Sequence, residues 1–160
     1  MIFCDAQQQK ILQSLLSRYQ LQLNLIKDNE PIPGSWFGEP EAGIIKNQLY
    51  IRQDTPVHSA LHESCHYICM DAERRAELDT DAAGGYDEEN GVCYLQILLA
   101  DHLPGMGRQI MMKDMDEWGY TFRLGSAQRW FEEDAEDTQQ WLLKHRLIDK
   151  NNTPSWNLRQ

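Results

Sequence analysis

Residues 62–66 read His-Glu-Ser-Cys-His, and this segment constrains the chain more than any other. On a helix, positions i and i+4 share a face with Cβ atoms roughly 5–6 Å apart, so His62 and His66 can turn two imidazoles toward one point. Two neutral imidazoles so placed form a ligand pair for Zn²⁺, at nitrogen–metal distances of about 2.0–2.1 Å. Glu63 lies beside such an ion, where its carboxylate can take a proton from the water that the ion activates. The surrounding pattern is helical: Val57, Leu61, Cys65 and Ile68 recur along one apolar face. Thr55 before Pro56 reads as an N-cap followed by a first-turn proline, which predicts a helix from Pro56 to about Met70.

A catalytic ion needs a third protein ligand and an open position. A third histidine in the longer pattern HExxHxxGxxH would fall at Ala72, and Cys69 stands where the glycine should be. That leaves the acidic start of the next helix, Asp87-Glu88-Glu89.

The order HExxH, loop, glutamate-bearing helix resembles the gluzincins, the thermolysin-like peptidases. Over residues 36–100 the chain is most similar to the minigluzincins, which keep only the catalytic core. The resemblance implies an α+β, zincin-like domain: a small three-stranded sheet, then the HExxH helix, then the glutamate helix. It implies a Zn²⁺ cofactor and hydrolysis of peptide bonds in a peptide or protein substrate, with Glu63 as base. The family's glutamate helix tends to read Glu, two residues, a small residue, then an aromatic three positions on. Glu88, Gly91 and Tyr94 match that spacing, so the resemblance implies Glu88 as the third ligand, beside His62 and His66. Glu89, followed by Val92 and Leu95, is the alternative.

Larger relatives often carry a carboxylate four positions after the ligand, where this chain has Val92; a backbone carbonyl or Asp101 is the expected substitute for orienting a histidine. For the oxyanion donor, relatives use a downstream histidine or tyrosine. Tyr86, His102, Tyr120, Arg123 and His145 are the candidates, and Tyr120 is chosen because it follows Trp118-Gly119 in a loop between helices.

Length and charge narrow the remaining classes. A chain of 160 residues fits one domain, taken as residues 1–150, with 151–160 as a loose tail. Twenty-five acidic against 15 basic residues give a net charge of −10, which repels a polyanion and argues against nucleic-acid binding. No apolar run approaches the roughly 18 residues of a membrane span. The amino terminus has no signal-peptide pattern, so a cytoplasmic location is expected. The spacing of Cys4, Cys65, Cys69 and Cys93 is not that of a disulfide scaffold, and reduced buried thiols are expected. The acidic run Glu132–Asp137 reads as a solvated helix face.

The rest of the chain predicts a helix over 5–19 capped by Asp5, a strand over 21–26 and a short strand at Trp36-Phe37. A hairpin over 44–51 turns at Lys46-Asn47, and helices follow over 87–100, 108–117 and 126–145. Rival readings are a closed structural zinc site drawing on His62, His66, Cys65, Cys69 and Cys93, a binding or regulatory module of the same fold without proteolysis, and hydrolysis of a non-peptide bond. The sequence leaves the substrate and the oligomeric state open.

Overall fold

A computed structural model describes all 160 residues. Helix α1 (Ala6–Ser17) starts where the Asp5 carboxylate accepts the Gln8 N–H at 2.9 Å, and it buries Leu12, Leu15 and Leu16. Three short strands follow, β1 (Gln22–Leu25), β2 (Gly43–Ile45) and β3 (Gln48–Ile51), in the order β1-β3-β2. β3 pairs parallel with β1 and antiparallel with β2. The β2–β3 turn is the expected Lys46-Asn47, with Lys46 in the left-handed region at φ 52°.

Helix α2 (Val57–Cys69) carries the His-Glu-Ser-Cys-His segment, and all of its residues except His62 are buried. Such a helix has no solvent face to spare, so its polar side chains must find partners inside the protein. Its partner is α4 (Tyr86–Ala100), whose buried stretch from Gly91 to Ala100 lies against it. The short α3 (Ala72–Ala76) sits between them in sequence. Helices α5 (Gly107–Trp118), α6 (Ala127–Glu133) and α7 (Glu136–Lys144) complete one core cluster of 39 buried residues. The result is an α+β domain with all four cysteines free and buried. No helix is long and apolar enough to cross a membrane.

Several expectations change. Thr55 is fully buried and its hydroxyl accepts the Arg52 N–H, so it closes the turn before α2 and does not cap it. Trp36 and Phe37 form no strand; they stand 58% and 76% exposed, and only Ser35 makes a bridge, to Gly43. The expected helix over 126–145 breaks at Asp134-Ala135 into α6 and α7, with Arg123 gripping Asp134 and Asp137 across the break.

The carboxy-terminal residues are not loose. Trp156 packs on Tyr19 at 5.3 Å between ring centroids, with the Arg18 guanidinium over the indole at 3.4 Å. Arg159 donates its backbone N–H to Ile68 O at 3.0 Å. An indole and a guanidinium supply the anchors that a polar composition concealed.

Gly91 sets how closely α4 approaches α7: a Cβ added there would lie 2.7 Å from the Trp141 ring. Gly91→Val should therefore lower the stability to chemical denaturation by about 2 kcal/mol, an overpacking cost read from the shift in midpoint at unchanged slope.

Candidate metal centre

Packing α2 against α4 brings three side chains to one point. His62 Nε2 and His66 Nε2 lie 3.2 Å apart on consecutive turns of α2. Glu89, in the first turn of α4, reaches both: Oε1 is 3.3 Å from His62 Nε2, and Oε2 is 3.3 Å from His66 Nε2. These three residues could hold a metal ion. No cysteine sulfur joins the group, which counts against a closed site built on Cys65, Cys69 or Cys93.

Glu88 lies elsewhere. Successive residues on a helix point about 100° apart, so only one of two adjacent glutamates can face α2. Glu88 is 6% exposed and turns to the other side, where Arg74 grips it with two bonds of 2.8 Å and Arg159 adds one of 3.0 Å. The third donor beside the histidines is Glu89, and the assignment to Glu88 is corrected by one residue. The spacing Glu88-Gly91-Tyr94 does mark a packed face, but that face meets other elements. Gly91 touches Trp141 and Leu142 of α7, and the Tyr94 hydroxyl accepts bonds from Gln139 and Asn152.

The outer partner of His62 is also one that the sequence did not suggest. Val92 is core, and Asp101 pairs with Arg108. Gln96, fully buried on α4, places Oε1 3.0 Å from His62 Nδ1 and donates its Nε2 to the His58 carbonyl at 2.9 Å. His66 differs, for its Nδ1 is buried without a partner. A carboxylate and two imidazole nitrogens converging at about van der Waals distance repel one another unless a cation, a proton or a metal ion, lies among them. Burial opposes charge on His62, but Tyr120, Cys93 and the Glu89 carboxylate outweigh it and hold the imidazole well above its ordinary range.

Glu63 sits beside the cluster, 8% exposed. Burial pushes its carboxyl up to about 7; His62 opposes the shift, while Glu41 and Glu89 add to it. A carboxyl tuned to neutrality suits proton transfer at physiological pH.

Tyr120 is brought to the site, its ring edge-on to His62 at 5.4 Å between centroids. Its hydroxyl, however, lies 3.1 Å from Nδ1 of the fully buried His58. The other candidates serve different contacts: His102 packs on Trp156, His145 on Trp141, Arg123 pairs with Asp134 and Asp137, and Tyr86 is exposed.

Two clefts flank the cluster and share Phe37, His62, Glu63 and Glu89 in their walls. The larger, about 430 Å³, adds Glu41, Trp118 and Phe122; the smaller, about 340 Å³, adds Trp36 and the segment from Thr80 to Gly84. Asn90 also lines the larger cleft, and its amide nitrogen has no partner. Phe37, Trp118 and Asn90 come from separate parts of the chain, and no motif in the sequence joins them.

Replacing each glutamate of the pair should separate two roles. Glu89→Ala should strip the ion from dialysed protein, as measured by metal analysis, with the fold intact. Glu88→Ala should keep the ion yet cost about 2 kcal/mol in denaturant unfolding, because it strands two partly buried guanidinium groups.

Comparison of the chain with family models, with curated proteins and with solved structures finds no match. The functional reading therefore stands on the geometry of His62, His66 and Glu89.

Proposed function

We propose that this protein is a zinc-dependent peptidase that holds its ion through His62, His66 and Glu89 and uses Glu63 as general base. The observation that carries the reading is the convergence of those three donors beside a buried carboxylate at the junction of two clefts. Zinc fits the donor set. Two ligands at about 2.0–2.1 Å from a tetrahedral ion lie about 3.3 Å apart; the two imidazole nitrogens are 3.2 Å apart, and each is 3.3 Å from one oxygen of the Glu89 carboxylate. Two neutral nitrogens and one carboxylate also form a known catalytic zinc set, leaving a position open.

A bound zinc ion supplies Lewis acidity, polarising the scissile carbonyl and lowering the pKa of a water beside it. The chain's own residues do the rest. Glu63, raised to about 7 by burial, takes the proton of the attacking water and then delivers it to the leaving amine. The two clefts accommodate the chain on either side of the scissile bond. Neither is lined by a lysine or arginine, so no fixed positive side chain in them pairs with a terminal carboxylate. This supports cleavage within a peptide over release of carboxy-terminal residues.

The substrate does not extend the sheet at β2. Ile44 N–H already donates to Gly34 O at 3.2 Å, and Ile44 O accepts from Thr80 N–H at 2.9 Å. Recognition therefore falls to the side chains of the clefts, with Phe37, Trp118 and Phe122 as apolar walls.

One observation favours a second reading, a zincin-like module that binds peptide without cleaving it. The Tyr120 hydroxyl lies 3.1 Å from His58 Nδ1, and when it donates there its proton is not free for an oxyanion.

Glu63→Gln separates the two. The variant should bind zinc at the wild-type level, because Glu63 is not one of the three donors, and digestion of a peptide library should slow by about 10²–10⁴. Equal cleavage by wild type and variant excludes Glu63 as base; zinc bound to both, with no cleavage by either, establishes the binding module.

A further inference from the structure

The hydrogen bonds around His62 decide which of its nitrogens carries the proton, and the decision starts at an atom with no freedom. The backbone carbonyl of His58 can only accept. Gln96 donates to it at 2.9 Å, so the nitrogen end of the Gln96 amide must face His58. The oxygen end is then committed to His62 Nδ1 at 3.0 Å. That oxygen can only accept, so Nδ1 must be the protonated nitrogen. In the neutral ring Nε2 then carries the lone pair, and it lies 3.3 Å from Glu89 Oε1. Gln96 is wholly buried, and its nitrogen also lies 3.5 Å from Met111 Sδ, a weak acceptor, so no water competes for either end of the amide.

From this we propose that Gln96 is the positioning residue of the centre: its amide, oriented by the His58 carbonyl, locks His62 as the Nδ1–H tautomer and presents Nε2 to the ion. The assignment rests on reading His62, His66 and Glu89 as the metal site, but not on hydrolysis. It makes the two histidine ligands unequal. His62 is set before the ion arrives, whereas His66 has a buried Nδ1 with no partner and takes its tautomer from the ion itself.

It also explains an amide where a carboxylate would bond His62 more strongly. A carboxylate at position 96 would face the His58 carbonyl without a proton between them and would crowd further negative charge around Glu63 and Glu89. The neutral amide is satisfied at both ends.

The test reads tautomer and affinity, not turnover. In histidine-labelled protein, long-range nitrogen–proton correlation spectra should show His62 as Nδ1–H in the zinc form, and in the metal-free form at a pH where every imidazole is neutral. The Nδ1 proton should exchange slowly. Gln96→Met removes the acceptor and keeps the bulk: the Nδ1 proton should lose its protection, and zinc affinity in chelator competition should fall roughly 10- to 100-fold.

Gln96→Glu restores an acceptor for Nδ1 and should recover the protected proton and part of the affinity, since its charge still meets the His58 carbonyl. An Nε2–H tautomer in the metal-free wild type overturns the proposal. So do unchanged affinity and exchange in Gln96→Met, or equal losses in the Met and Glu variants, which would mark Gln96 as packing alone. If Gln96→Met fails to fold, the wild-type spectra still decide, since an Nε2–H tautomer in the metal-free form refutes the assignment. A wild type that binds zinc through His62 but cleaves nothing refutes the peptidase reading and leaves this one standing.

Discussion

The contact on which the site depends is the rotation of α4 about its own axis as it lies against α2. Adjacent residues on α4 face different elements, so one angle decides which glutamate meets the histidines. That angle is held at two places remote from the cluster. Gly91 lets Trp141 approach where any Cβ would collide, and Glu88 is clamped by Arg74 and Arg159. With both engaged, Glu89 faces His62 and His66. Arg159 lies near the carboxy terminus, so that segment helps to fix the rotation of a helix 71 residues earlier in sequence.

Around that frame several polar groups of a buried helix find partners inside the protein. His58, His62 and His66 stand on successive turns of α2, and the first two are linked through Gln96. A polar network in a low-dielectric interior is costly when incomplete and rigid when complete. Here it is complete at His62 and open at two buried nitrogens without partners, His58 Nε2 and His66 Nδ1.

Much of the architecture was legible because local signals were strong. Asp5 caps α1, Lys46-Asn47 turns the hairpin, and the apolar periodicity around His62 places α2 within a residue of its observed ends. Two of the misreadings share a cause: each concerned a choice made by residues outside the segment. The break at Asp134-Ala135 is bridged by Arg123, and the carboxy terminus is tied down by Tyr19, Arg18 and the Ile68 carbonyl. No local window contains those partners.

The same division runs through the site. The sequence by itself determined that two histidines and a glutamate would share a helix, because spacing of four residues on a 3.6-residue turn leaves little freedom. It determined equally that an acidic pair would open the next long helix. Only the tertiary structure decided that Glu89 and not Glu88 turns inward, that Gln96 and not a carboxylate holds His62, and that Tyr120 arrives with its hydroxyl already bonded to His58. Spacing along one helix is a local property of the chain, whereas the rotation of one helix against another is set by side chains that meet only when the whole core has closed.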